Sequence, residues 1–396
     1  MTGAARDGGL GRFPPGALPR PRIQSRLDRA LREDWDYREG RIFGSMCTQP
    51  LQAAERMSAP FLTANTGNPG LCPGTVRLEE EVVGWLRELY HAPLHGAGGM
   101  VVSGGTEANI TALWLARNIS GQKEVVVPRS AHFSVAKALD LLSLKPRWVE
   151  TGPDGRVNVE GVRKAVTSRT ALIVAVGGST ELGVVDPIDE ISEIALHQGT
   201  RLHVDAAFGG FVLPFMEVAK GRTYPFDFAV PGVTSLSVDP HKMGGAPIPA
   251  GALLLRNWEE IRAISVESPY LSAPTLSSLY GTRPSRNVAA IFSAMSLQGR
   301  RGYQRTVQRV LELTRTIAES GREMGLEPVI EPVLNIVALR HRDPVAIQNQ
   351  MLRRGWDVSA IREPRAIRFV VMPHASAPMV RKMLKDLAWV VREIPN

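Results

Sequence analysis

An α/β architecture is the fold this sequence predicts: a mostly parallel sheet flanked by helices, with a small α/β domain at the C-terminal end. Three observations point there. Between residues 100 and 255, short apolar runs alternate with segments of helical periodicity, the pattern of a parallel sheet with helices on both faces. The run Ala171-Leu172-Ile173-Val174-Ala175-Val176 has no polar face, so it reads as a strand covered on both sides. After residue 324 strands and helices alternate again on a smaller scale.

The elements follow in order. Residues 1–22 are rich in Gly, Pro and Arg and read as a flexible extension; Asp7 and Pro14-Pro15 argue against an amphipathic transit helix there. Residues 22–35 look helical, and residues 40–74 look loop-rich. Leu78, Val82, Val83, Leu86 and Leu89 give residues 76–90 helical spacing. Strands are expected at 100–102, 124–127, 148–149, 171–176, 202–206, 235–238 and 252–255. Helices are expected at 106–118, 134–142, 159–166 and 188–198. Two long helices follow, at 284–298 and 303–324. The last part reads as strand 336–339, helix 344–354, strand 367–372 and helix 377–394. The implied division is extension 1–22, N-terminal segment 23–75, large domain 76–285, linking helices 286–325 and small domain 326–396.

Composition narrows the class. The chain has 396 residues, 44% hydrophobic and 22% charged, which is globular rather than disordered. Two cysteines, Cys47 and Cys72, exclude a disulfide scaffold and a cysteine-based zinc module, and no metal site is expected. No apolar run is long enough to span a bilayer and no signal-peptide core is present, so a cytoplasmic protein without a membrane partner is expected. The net charge of +8 rests mostly on Arg spread along the whole chain. A nucleic-acid binder concentrates such charge on one face or arm, so no nucleic-acid partner is expected; a small anionic ligand suits the charge equally. A basic nucleic-acid-binding protein is the non-enzymatic alternative.

Ligands of open α/β sheets bind at the carboxyl ends of strands, so the residues just after strands carry the chemistry. Ser103-Gly104-Gly105-Thr106-Glu107 lies between a strand and a helix. Its glycines let the backbone approach a ligand, Thr106 is placed to cap the helix, and free amides at a helix start bind phosphate. Asp205 ends a strand in His203-Val204-Asp205-Ala206-Ala207. Lys242 follows another, beside His241 and before Gly244-Gly245, a setting in which an amine can act as a nucleophile. His132 sits between a strand and a helix. Each feature alone also fits an ordinary turn, cap, solvated loop lysine or structural histidine.

Together they fit one cofactor, pyridoxal 5'-phosphate (PLP). Gly104, Gly105 and Thr106 would cradle its phosphate and Lys242 would condense with its aldehyde. Asp205 would keep the pyridinium nitrogen protonated, so that the ring accepts electrons. Ala207 would leave room under the ring and His132 would stack on it.

Several stretches carry a resemblance: Gly44-Ser45-Met46-Cys47-Thr48, Asn68-Pro69-Gly70-Leu71, Gly104-Gly105-Thr106-Glu107-Ala108-Asn109, Ser179-Thr180-Glu181-Leu182-Gly183, His203-Val204-Asp205-Ala206-Ala207-Phe208-Gly209-Gly210, Asp239-Pro240-His241-Lys242 and Gly281-Thr282-Arg283. From about residue 41 onward the sequence resembles the group II PLP-dependent amino-acid decarboxylases of fold type I, most of all the archaeal L-tyrosine/L-aspartate decarboxylases. The resemblance implies a homodimer with sites at the subunit interface and Thr282 reaching the partner's phosphate. It also implies that His241 supports the phosphate and that Thr180 lies beside the cofactor. A mobile loop over 267–280 would offer Tyr270 or Tyr280 as proton donor, and Arg368 would be the active-site arginine. The pattern departs at Gly281-Thr282-Arg283-Pro284-Ser285, where many relatives have Ser-Gly after the Arg.

The implied reaction is decarboxylation of an L-amino acid. Aspartate would give β-alanine for coenzyme A, tyrosine would give tyramine for methanofuran, and glutamate stays open. A PLP-dependent carbon–carbon lyase of the sphingosine-phosphate-lyase type is the enzymatic alternative.

Overall fold

The computed structural model describes residues 13–216 and 224–394. The extension expected over 1–22 lies, for residues 1–12, outside the described residues. It also ends earlier than expected, because helix α1 (Arg20–Glu33) starts at Arg20 with a proline in its first turn, where the missing N–H costs nothing. No α1 residue is buried. The loop-rich stretch after it contains one regular helix, α2 (Gln52–Ser58), followed by α3 (Pro73–Leu89).

The main sheet then builds as expected. Its elements are β1 (Gly98–Val102), α4 (Gly105–Ser120), β2 (Glu124–Pro128), α5 (Phe133–Leu141), β3 (Lys145–Val149), α6 (Val159–Ala165), β4 (Thr170–Val176), α7 (Ile188–His197), β5 (Arg201–Asp205), β6 (Val233–Val238) and β7 (Gly251–Leu255). The strand order is β1-β7-β6-β5-β4-β2-β3. From β3 to β6 every pairing is parallel, while β7 runs opposite to both β6 and β1. Two reversals bring β1 back into line with β6. The carboxyl ends of β1, β4, β5 and β6 therefore share one edge of the sheet. Every residue of β4 is buried, as its unbroken apolar run requires.

Past the sheet, a hairpin of β8 (Val266–Glu267) and β9 (Thr275–Leu276) lies inside the stretch expected as a loop. Its tip is tied down: Ser272 Oγ accepts from Gly70 N at 2.7 Å and donates to Asn68 Oδ1 at 2.6 Å. The two long helices form one element, α8 (Arg286–Glu323), broken at Gly299, where φ is +54°. Pro284 stays outside it and bridges to Asn65. The C-terminal part contains β10 (Ile336–Arg340), α9 (Pro344–Arg353), β11 (Ser359–Ile361), β12 (Ala366–Val370) and α10 (Ala377–Glu393). Its antiparallel sheet has the order β10-β12-β11. The three-residue β11 is too short to show in the sequence pattern. Phe43, Trp356 and Phe369 are fully buried between this sheet and the N-terminal segment. No helix among the described residues is long and apolar enough to cross a membrane.

One contact fixes the turn after β1. A Cβ on Gly251 would lie 2.5 Å from Gly104 Cα and 2.8 Å from its N and C atoms. Backbone cannot yield as a side chain does, so Gly251→Ala should cost about 1–3 kcal/mol. At Gly84, mid-helix in α3, a Cβ meets nothing within 4 Å. Gly84→Ala should instead gain about 0.5–1 kcal/mol through helix propensity. Urea unfolding of both variants checks the pair, and equal effects would contradict the packing described for Gly251.

Candidate active site

A cavity of about 320 Å³ opens at the shared strand edge, lined by Ser103, Gly104, Gly105, Thr106, Asn109, His132, Val176, Gly178, Thr180, Asp205, Ala207, Phe208, Asp239, His241, Lys242 and Ile248. Segments far apart in the chain meet because the sheet aligns their strand ends. Ser103–Thr106 follow β1, Val176 ends β4, Asp205 ends β5 and Asp239 follows β6.

Asp205 is 5% exposed and hydrogen-bonded from several sides. Its Oδ2 accepts from Asn109 Nδ2 at 2.7 Å. Its Oδ1 accepts from Ala207 N at 3.0 Å and from Ser237 Oγ at 3.3 Å. Sheet register sets this up, with Asp205 opposite Ser237 and His203 opposite Ser235. His203 is fully buried between Asn109 Oδ1, 3.0 Å from its Nε2, and Ser235 Oγ, 2.9 Å from its Nδ1. Burial holds its imidazole neutral, well below the ordinary histidine value, against the pull of Asp205.

Lys242 Nζ lies 3.1 Å from Asp239 Oδ2; the aspartate is buried and the lysine is partly buried. The other oxygen, Asp239 Oδ1, is buried without a hydrogen-bond partner. His241 Nδ1 sits 2.6 Å from Ala250 O, so it carries a proton and donates, and its Nε2 faces Asp239 Oδ2 at 3.8 Å. Across from these residues, α4 begins at Gly105 with Gly104 as its cap. Thr106 is thus in the first turn and is not the cap the sequence suggested. Glu107 makes the reach-back bond, accepting from Ser103 N at 2.6 Å. At Gly105 a Cβ would meet Ala207 Cβ at 2.9 Å and Asp239 Oδ2 at 3.1 Å. Only glycine fits, which leaves the helix-start backbone bare toward the cavity.

His132 caps α5, its side chain accepting from Ser134 N at 3.2 Å. Ser134 Oγ is 2.9 Å from His132 Nδ1. Burial lowers the His132 pKa, keeping the ring neutral.

Gly104, Gly105, Thr106, His132, Thr180, Asp205, Ala207, His241 and Lys242 thus meet in one cavity. Tyr270, Thr282 and Arg368 do not line it. Tyr270 is 86% exposed on the β8–β9 hairpin, and Thr282 is also exposed. Arg368 is buried on β12, donating from Nη1 to Gly44 O at 3.2 Å. Its Nε and Nη2 have no hydrogen-bond partner, and burial pushes its guanidinium down to about 10 against the charges of Glu181 and Asp357.

Sequence reasoning passed over Asn109 and Asp239 as site residues. Both had a signal. Asn109 stands four residues after Gly105, on the same helix face. Asp239 follows a strand end, the rule that found Asp205.

The residues present suit PLP. The glycine turn offers amides to a phosphate, Lys242 offers an amine, and Asp205 is a fixed acceptor for a ring N–H.

The neutral His203 has a measurable consequence. Its folded pKa is depressed, so the unfolded chain binds the extra proton first. Its contribution is complete above about pH 6.5 and declines as pH falls, by up to about 1.4 kcal/mol per unit. In urea unfolding, the stability difference between wild type and His203→Gln should shrink between pH 7 and pH 5; a flat difference would contradict a neutral His203.

Comparison with known proteins agrees with this geometry. The pyridoxal-dependent decarboxylase conserved domain matches residues 68–341. A probable L-tyrosine/L-aspartate decarboxylase of Methanothermobacter thermautotrophicus is 44% identical over 89% of this chain and 97% of its own. A probable L-aspartate decarboxylase of Pyrococcus abyssi is 41% identical over 97% of this chain and 100% of its own. The L-aspartate/L-glutamate decarboxylase of Pyrococcus horikoshii is 40% identical over 96% of this chain and 100% of its own. Among solved structures, a Burkholderia pseudomallei sphingosine-1-phosphate lyase superposes with TM-score 0.89 at 28% identity, covering 98% of this chain and 94% of its own. A Lactobacillus brevis glutamate decarboxylase gives 0.86 at 20%, covering 97% and 94%. The lyase alternative thus shares the fold, while the relatives at 40% identity and above are named decarboxylases. The nucleic-acid-binding alternative falls away. The chain belongs to the pyridoxal-dependent decarboxylase family and is a PLP-dependent amino-acid carboxy-lyase of fold type I.

Proposed function

We propose that this chain removes the α-carboxylate of L-aspartate, giving β-alanine. Arg368 carries the reading. It is a buried guanidinium with two unpartnered nitrogens, beside the Gly44 segment and close enough to Glu181, next to the cavity-lining Thr180, to feel its charge. A buried cation with free donors suits a carboxylate, and aspartate has two. The names of the three archaeal relatives support it, since L-aspartate is common to them all.

PLP, when bound, supplies a pyridinium ring that accepts the electrons left at Cα by the departing carbon dioxide. The chain's residues do the rest. The amides of Gly104, Gly105 and Thr106, with His241, would hold the phosphate at the α4 N-terminus. Asp205 would accept the ring N–H and favour its charged form. His132 would offer its neutral face to the ring, with Thr180 beside the cofactor and Ala207 leaving room for it. Lys242 would hold the cofactor through its amine and take part in product release. Arg368 pairs with a substrate carboxylate, and Tyr270 or Tyr280 delivers the proton to Cα from the hairpin side.

The assembly we propose is a homodimer. Helix α1 buries nothing within its own chain and exposes Leu27 and Leu31, while Thr282 is free to cross to a neighbouring site.

The test supplies the purified protein with PLP and an equal mixture of the common amino acids, and reads the amines by mass spectrometry. β-Alanine should dominate. Tyramine or γ-aminobutyrate instead would overturn the aspartate assignment, and no amine at all would overturn decarboxylation of these substrates. Arg368→Lys keeps the charge but loses the two-pronged fork, so KM for aspartate should rise about tenfold or more; an unchanged KM would remove Arg368 from substrate binding.

A further inference from the structure

Asn109 is the hub of a closed hydrogen-bond network behind the cavity. Its Oδ1 accepts from Ser237 Oγ at 2.9 Å and faces His203 Nε2 at 3.0 Å. Its Nδ2 donates to Asp205 Oδ2 at 2.7 Å and to Ser134 Oγ at 2.9 Å. The side chain is 1% exposed, and its four hydrogen-bonding positions are filled.

These contacts fix the amide, imidazole and Ser134 protons, while the single Ser237 hydroxyl hydrogen is shared between Asn109 Oδ1 and Asp205 Oδ1. Asp205 accepts from Asn109, so the amide nitrogen must face it; the flipped amide would set oxygen against carboxylate. The amide oxygen then faces His203, so His203 Nε2 carries the hydrogen and its Nδ1 accepts from Ser235 Oγ. Ser134 Oγ accepts from Asn109, so its own hydrogen is free to go to His132 Nδ1. That leaves His132 protonated on Nε2, the nitrogen away from the network. One amide therefore sets the orientation of a carboxylate from β5 and a histidine from the start of α5.

We propose that Asn109 is a positioning residue for the cofactor ring, holding Asp205 and, through Ser134, His132 in one orientation and one hydrogen-bonding arrangement. The proposal rests on Asp205 as the partner of the ring nitrogen.

Asn109→Asp isolates the effect. It keeps shape and volume, and it still accepts from His203 and Ser237. It replaces the donor facing Asp205 with a second carboxylate, so the pair must share a proton or repel. In the full-length protein, the dissociation constant for PLP, read by absorbance of the bound cofactor, should rise about tenfold or more. The kcat should fall by about as much, with the substrate KM moving less than about threefold. Asn109→Ser, which truncates without adding charge, should lose less of both. A residue that only props up α4 would give the reverse order, because the isosteric Asp would be the milder change.

Asp205→Asn is measured alongside. If it is impaired while Asn109→Asp stays within about twofold of wild type in both constants, the positioning role is overturned. If Asp205→Asn is itself unimpaired, the ring-nitrogen reading fails and takes this proposal with it. Should Asn109→Asp lack native far-ultraviolet circular dichroism, Asn109→Ser decides alone: a raised PLP dissociation constant supports the role and an unchanged one overturns it.

Discussion

A carboxylate buried at the end of β5 is the constraint around which the rest is arranged. Taking Asp205 out of water costs several kcal/mol unless its oxygens are satisfied. The fold meets that demand with donors from three places: Asn109 on α4, the backbone of Ala207 and the hydroxyl of Ser237 on β6. Each donor is placed by a larger feature. The parallel register of β5 and β6 sets Asp205 opposite Ser237. The glycine turn lets α4 start close enough for Asn109 to reach a residue 96 positions away. Removing any of these would leave a buried negative charge without its partners.

The same strand edge gathers the remaining parts. β7 runs against its neighbours and restores the direction of β1, so the turn at Gly104 opens on the side where β4, β5 and β6 end. Gly251 on β7 packs against Gly104 with no room for a side chain. The antiparallel strand is therefore part of how the site is built. Lys242 and Asp239 face each other across the floor, an ion pair between a partly buried lysine and a buried aspartate that holds the amine at the cavity.

Much of this was legible in the sequence, for physical reasons. β4 announced itself because a strand covered on both faces has no polar positions. The Gly104–Thr106 turn, Asp205 and Lys242 were found by asking which polar residues follow strands. Short or long-range features were harder to see. Helix α2 has seven residues and buries only Ala54 and Ser58, too little to imprint a periodicity. The three-residue β11 and the two-residue strands β8 and β9 carry no pattern at all. Asn109 appeared within a quoted motif, yet its role depends on His203, Ser134 and Ser237, which only the folded sheet brings together. Tyr270, Thr282 and Arg368 came from resemblance alone, and this chain's own cavity does not include them.

The central claim is that Lys242 is the amine that carries the cofactor. The direct measurement is borohydride reduction of the PLP-loaded protein, followed by peptide mass spectrometry. A pyridoxyl label on Lys242 alone among the eight lysines is the expected result. A label on another lysine, or no label on a protein that retains PLP, would contradict the site described here.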